Sequence, residues 1–102
     1  MALKVSQLRE ESTSRLREIL AETKEGLFKY RLRIASGEAA NPHEAREMRR
    51  DIARIETLLH SIALVAGKAK VGEDAARASL EGNKWNIEKA SAAAASAAAA
   101  QS

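Results

Sequence analysis

Apolar residues recur at regular intervals between Ala45 and Ile62, and this pattern constrains the fold more than any other feature of the chain. Steps of three, four, three, four and three positions separate Ala45, Met48, Ile52, Ile55, Leu59 and Ile62. Such spacing puts one apolar stripe along a helix that packs against another helix. Asn41 and Pro42 supply an N-cap and a first helical residue, and Gly67 is the expected end.

A partner helix is predicted earlier in the chain, over residues 13–35. Its apolar residues share an arc of roughly 100° on a helical wheel; they are Leu16, Ile19, Leu20, Thr23, Leu27, Tyr30 and Ile34. The short link between Gly37 and Asn41 implies antiparallel packing of the two helices. The expected fold is therefore all-α: an antiparallel two-helix hairpin with a short N-terminal helical segment, over residues 3–10, and a small helical C-terminal extension.

The character of the chain changes after Lys70. Residues 71–90 read as two short helical pieces around Gly82 and Asn83. Residues 91–102 are nearly pure alanine and serine, helical if they continue a helix from Ile87 and frayed otherwise. We therefore predict a hairpin domain over 1–67, a helical extension over 68–90 and a low-complexity tail over 91–102.

Composition excludes several classes of function. The 102 residues include no cysteine, so disulfides, thiol catalysis and zinc ribbons are excluded. No stretch has the length and apolarity of a membrane span or a signal peptide, which predicts a cytoplasmic protein. His43 and His60 lie far apart without clustered carboxylates, and no catalytic or phosphate-loop motif occurs. We expect no metal, no cofactor, no small-molecule substrate and no enzymatic activity.

Basic residues are segregated on the predicted hairpin. On a helical wheel, four arginines of the second helix form one arc turned away from the core; they are Arg46, Arg49, Arg50 and Arg54. Lys29, Arg31 and Arg33 lie at the end of the first helix, which the hairpin brings to the same end of the rod. Arginines grouped in this way can bind several phosphates. The alternative is a solvated surface with ion pairs between neighbouring turns.

A second apolar stripe on the first helix includes Phe28 and Leu32. It lies more than 100° from the core stripe, so nothing in a two-helix hairpin covers it. Such a stripe indicates a protein-partner surface, unless the N-terminal segment or the tail covers it. Trp85, in the extension, is a third candidate contact, either with the hairpin or with a neighbouring molecule.

The chain resembles the bacterial large-subunit ribosomal protein L-twenty-nine (uL-twenty-nine) family over about residues 1–65. The resemblance rests on five blocks: Leu8–Ser12, Leu27–Arg33, Ala35–Glu38, Asn41–Pro42 and Met48–Leu59. It implies a helical hairpin bound to 23S rRNA at the rim of the polypeptide exit tunnel, beside the ribosomal protein L-twenty-three and near nascent-chain factors. Basic family positions match Arg31, Arg49, Arg50 and Arg54, whereas Lys29 and Arg33 fall where the family varies.

The extension departs from that family. Residues 83–90, Asn-x-Trp-Asn-Ile-Glu-x-Ala, resemble part of a ubiquitin-associated (UBA-like) fold, of which residues 71–90 would supply the last two helices. A rival interpretation of the whole chain is a protein–protein adaptor without RNA binding. Ionic strength separates the two, because RNA binding weakens steeply with salt and apolar docking does not.

Overall fold

Five helices make up the regular structure of residues 4–101, the part of the chain that the computed structural model describes. They are α1 (Val5–Leu8), α2 (Thr13–Ala35), α3 (Pro42–Ala69), α4 (Glu73–Gly82) and α5 (Ile87–Gln101). The all-α prediction is confirmed. None of these helices is both long and apolar enough to cross a membrane. Leu3, included in the predicted N-terminal segment, lies outside the described residues.

The termini of α2 follow local sequence signals. The Ser12 hydroxyl caps the helix by accepting a hydrogen bond from the Arg15 N–H at 3.2 Å. At the other end Gly37 has φ +103°, and the Glu38 N–H donates to the Arg33 carbonyl at 3.1 Å. This 6→1 bond closes a Schellman motif and favours glycine at the left-handed position. The predicted span of α2 is confirmed.

The predicted end of α3 at Gly67 is wrong. The helix continues to Ala69 and closes with a bond from the Val71 N–H to the Ala66 carbonyl at 3.1 Å. Lys70 takes the left-handed conformation, with φ 56°. A glycine inside a helix costs only about 1 kcal/mol, and burial of Ala69 in the following turn favours continuation.

Helices α2 and α3 pack antiparallel within the first of two compact units, which ends at Glu56. Near the turn Arg33 pairs with Glu44 at 3.3 Å, and farther from it Lys24 pairs with Glu56 at 3.3 Å. Residue numbers thus fall along α2 as they rise along α3. The apolar cluster between the helices consists of Leu27, Tyr30, Ile34, Ala45, Met48 and Ile52.

Tyr30 fastens the turn of the hairpin. Its hydroxyl donates to the Asn41 carbonyl and accepts from the Asn41 N–H, both at 2.8 Å. The side chain is buried in the apolar cluster, so the ring and the hydroxyl hold the turn through different interactions. Asn41 in turn caps α3 by accepting from the Glu44 N–H at 3.4 Å.

The second compact unit begins at Thr57 and contains the end of α3 together with α4 and α5. Its buried side chains come from all three helices: Leu58, Ile62, Val65, Ala69, Ala76, Leu80, Ala90 and Ala94. The Ser79 hydroxyl of α4 donates to the Ala90 carbonyl of α5 at 2.7 Å. Leu58 is therefore a core residue here, whereas Leu59, predicted to lie in the core stripe, is only half-buried.

Helix α5 includes most of the predicted low-complexity tail. Asn86 caps it by accepting a hydrogen bond from the Lys89 N–H at 3.0 Å. Helical structure then runs without interruption through the alanines and serines to Gln101. Of the two states considered for this segment, the helical one is the one observed. The predicted domain boundaries at residues 67 and 90 stay predictions.

Candidate nucleic-acid interface

The register of the hairpin decides which side each basic residue faces. Side chains rotate about a helix axis in one fixed sense as the residue number rises. In an antiparallel pair, a rotation in that sense, starting from the face that contacts the other helix, leads to the same side of the hairpin on both helices. With residues about 100° apart, Arg31 of α2 and Arg49 of α3 each lie roughly 70° from the contact face on that side. Arg46 lies farther round on the same side. We call the side defined by Arg31, Arg46 and Arg49 the arginine flank.

The side chains of the arginine flank are exposed and uncommitted to acidic partners. Among the described residues, Arg31 and Arg49 make no side-chain hydrogen bond or ion pair. Arg46 donates only to the Pro42 carbonyl in its own helix, at 3.4 Å. These guanidinium groups keep their donors available, and planar guanidinium groups match the geometry of phosphate oxygens.

The opposite flank carries cations that already have carboxylate partners. We call it the ion-pair flank, and define it by Arg33, Glu44, Asp51 and Arg54. A guanidinium nitrogen of Arg33 lies 3.3 Å from a carboxylate oxygen of Glu44, and the guanidinium carbon lies 5.7 Å from the centre of the Tyr30 ring. Arg54 bonds Asp51 at 3.1 Å. The structure therefore does not bring Arg33 and Arg54 together with Arg31 and Arg49.

Two further cations predicted for the site are tied within their own helices. The Lys29 ammonium nitrogen lies 3.1 Å from a carboxylate oxygen of Glu25, and a guanidinium nitrogen of Arg50 lies 3.1 Å from a carboxylate oxygen of Glu47. Lys29 turns toward the ion-pair flank, and Arg50 lies on the outer surface of α3, away from α2. The Lys29–Glu25 pair is exposed on both sides, and such pairs contribute about 0–1 kcal/mol. In the Arg50–Glu47 pair only the arginine is exposed, and both cations can still turn toward phosphates.

The sequence pattern predicted the wrong exposure for Asp51, a residue of the ion-pair flank. The wheel puts it on a charged flank, yet its side chain is only 3% exposed. It lines a surface cleft of about 370 Å³ together with Arg15, Glu22 and Thr23 of α2. A buried carboxylate needs a cation or hydrogen-bond donors, and an arginine three residues away was the available signal for this arrangement.

The side chains proposed as a protein-partner surface are distributed over both units. Phe28 and Leu32 of α2 are 60% and 54% exposed, so no part of the described chain covers them. Trp85 is half-buried in the second unit, in the turn between α4 and α5. Both Lys84 and Trp85 have positive φ, 53° and 59°, and the Trp85 N–H closes α4 by donating to the Leu80 carbonyl at 2.8 Å.

Nothing in the described chain resembles a metal centre. Residues 4–101 contain no group of three or more histidine, aspartate or glutamate side chains able to hold an ion. His43 and His60 are both exposed.

Comparisons with known proteins converge on one family. The sequence model of the family described as Ribosomal L29 protein matches residues 6–61. A large ribosomal subunit protein uL29 from Desulforudis audaxviator is 46% identical over 57 residues, which is 56% of this chain and 85% of that protein. The uL29 protein of Carboxydothermus hydrogenoformans is 44% identical over 56% of this chain and 83% of its own length.

A third relative, the uL29 protein of Geobacillus stearothermophilus, is 33% identical over 66 residues, covering 65% of this chain and all of that protein. No solved structure matches the chain. The family match ends within α3, so α4 and α5 lie beyond it. The uL-twenty-nine resemblance is confirmed, the UBA-like resemblance of the extension stays a prediction, and the chain belongs to the Ribosomal L29 protein family.

Proposed function

We propose that this chain is a structural constituent of the large ribosomal subunit, located on cytoplasmic ribosomes, and that it binds 23S rRNA near the exit of the polypeptide tunnel. Family membership supports the ribosomal role. The observation that carries RNA binding is the arginine flank, to which α2 contributes Arg31 and α3 contributes Arg46 and Arg49. Their guanidinium groups have no acidic partner among residues 4–101.

The proposed mechanism is passive presentation of charge. Both helices are held by the apolar cluster and by the Tyr30 hydroxyl bridge, so the arginine backbones are fixed before RNA arrives. Contacts of arginine with phosphate position a protein on folded RNA without reading its sequence. No catalytic group is required for this role.

The seven basic residues contribute unequally in this proposal. Arg31, Arg46 and Arg49 contact phosphates directly. Lys29, Arg33 and Arg50 are exposed and exchange weak ion pairs for phosphates where the RNA surface reaches them. Arg54 is the exception, because releasing it would leave the buried Asp51 carboxylate without one of its partners.

Neighbouring proteins complete the proposed environment. The position at the tunnel exit implies contact with the ribosomal protein L-twenty-three and proximity to nascent-chain factors. Leu32 supports such a contact, because it is an exposed leucine on the outer side of α2. Trp85 is a candidate contact in the second unit.

Salt-dependent binding to an in vitro transcript of 23S rRNA tests the proposal. Arg49→Ala should weaken binding and reduce the slope of log K against log salt by roughly one unit, because one phosphate contact is lost. Arg33→Ala is the matched control: it removes the same side chain from the ion-pair flank and should change affinity and slope less. Circular dichroism should show equal helicity for both variants.

Equal effects of Arg33→Ala and Arg49→Ala would contradict the arginine flank, and wild-type protein that fails to bind the transcript would contradict RNA binding altogether.

The rival function is a protein–protein adaptor, favoured by the exposure of Phe28 and Leu32. An adaptor would bind its partner with little dependence on salt.

A further inference from the structure

Phe28 is the most exposed large apolar side chain among the described residues, and it stands beside the arginine flank. On α2 it lies one turn from Arg31 and one turn from Lys24. Its direction differs from that of Arg31 by roughly 60°, whereas Leu32 lies about 100° from Arg31 and faces away from the hairpin. Leu32 lies one turn after Phe28 and about 40° round the helix, so the two residues are neighbours on the outer side of α2, and Phe28 is the nearer of the two to the arginine flank.

The charges around Phe28 favour a polyanion over an apolar partner. Arg31 is uncommitted, and Lys24 has one exposed ion pair with Glu56. A protein interface normally buries about 800 Å² on each partner, and Phe28, with about 200 Å² and only Leu32 beside it, supplies a small part of that area. A ring with Lys24 one turn before it and Arg31 one turn after it instead matches one nucleobase and its adjacent phosphates.

We propose that Phe28 stacks against an unpaired base of the bound rRNA while Arg31 and Arg49 hold neighbouring phosphates. This inference rests on the proposed function and makes it more specific. Bases inside an RNA duplex are stacked on each other, so only a bulged, looped or terminal nucleotide can offer its face to the ring. The site would then select an unpaired nucleotide next to structured RNA, without choosing its identity.

Binding to the 23S rRNA transcript at fixed salt provides the test. Phe28→Ala should weaken binding about 5- to 150-fold, the range for losing one base–aromatic stack. Phe28→Trp should stay within about threefold of wild type, because indole also stacks. The slope of log K against log salt should stay the same in both variants, since no phosphate contact is removed.

Leu32→Ala is the matched control, because it removes another exposed apolar side chain of α2 that lies farther from the arginine flank than Phe28 does. It should weaken binding to the transcript less than Phe28→Ala. Ultraviolet irradiation of the complex should also link RNA to the peptide containing Phe28, which requires direct contact with a base. Recovery of that peptide free of RNA, while other peptides carry it, would contradict the stack.

The two proposals fail in different ways. Loss of binding in Arg49→Ala with unchanged affinity in Phe28→Ala would overturn the stack and leave the arginine flank standing. If Phe28→Ala binds the transcript with unchanged affinity but is poorly incorporated into large subunits, Phe28 contacts a protein neighbour. That outcome would also overturn the stack. A transcript that wild-type protein does not bind would overturn both.

Discussion

The nearest carboxylate, more than the position in sequence, decides what each basic residue can do. Arg49 and Arg54 are five residues apart on α3, yet Arg49 has no acidic partner in the described part of the chain, whereas the Arg54 guanidinium lies 3.1 Å from the Asp51 carboxylate. The Asp51 side chain is nearly inaccessible to water, and a buried charge requires compensation. At the scale of the residue, Arg54 therefore stabilises the hairpin, whereas Arg49 remains available to a ligand.

Arg54→Ala should lower the free energy of unfolding by about 1–3 kcal/mol, because the Asp51 carboxylate loses a charged hydrogen-bond donor. Arg33→Ala, which breaks an exposed pair, should cost about 0.5 kcal/mol or less. Urea denaturation followed by circular dichroism measures both. Unchanged stability of Arg54→Ala together with a loss of RNA affinity as large as that of Arg49→Ala would return Arg54 to the RNA interface.

At the scale of the element, glycines have opposite roles in α2 and α3. Gly37 follows α2 with φ +103°, where a side chain is strained. Gly67 lies inside α3, and a methyl group built on it meets no atom within 4 Å. One glycine therefore ends a helix, and the other weakens a helix that packing continues.

Substitution by alanine should change stability in opposite directions at these two positions. Gly37→Ala should destabilise the protein by about 1–2 kcal/mol, because alanine resists the left-handed conformation. Gly67→Ala should stabilise it by up to about 1 kcal/mol through higher helix propensity. Thermal unfolding measures the pair, and a stabilising Gly37→Ala would rule out the Schellman motif.

At the scale of the whole molecule, the chain contains two compact units, and the proposed RNA contacts lie in the first. The second unit has its own buried side chains, including Leu80, which is fully inaccessible. It also holds Trp85, the single tryptophan of the chain. Tryptophan fluorescence therefore reports unfolding of the second unit specifically.

Leu80→Ala should destabilise the second unit by about 2–4 kcal/mol through loss of buried surface and creation of a cavity. Leu64→Ala, at a partly exposed position of the same unit, should cost much less. Urea denaturation monitored by Trp85 fluorescence measures both effects. Affinity for 23S rRNA should remain within about twofold of wild type, and a larger fall would place RNA contacts in the second unit.

The sequence by itself determined the helices, because their signals are local. Heptad-like spacing, the Asn41–Pro42 start and Gly37 each act over a few residues, and the observed bounds of α2 and the start of α3 agree with them. The family resemblance was likewise carried by contiguous blocks of residues. The site residues themselves, and the domain boundaries, remain proposals.

Only the tertiary structure decided which cations are free and which apolar residues are buried. Positions on a helical wheel gave each arginine a direction but not the state of its partner. Arg33 pairs with Glu44 of the other helix, and Arg54 pairs with Asp51, whose side chain is buried. Burial of Leu58 in place of Leu59 and continuation of α3 past Gly67 likewise do not follow from the spacing of apolar residues. Local spacing can bring an acid and a base together, as with Asp51 and Arg54, but the exposure of each side chain is set by residues distant in the chain.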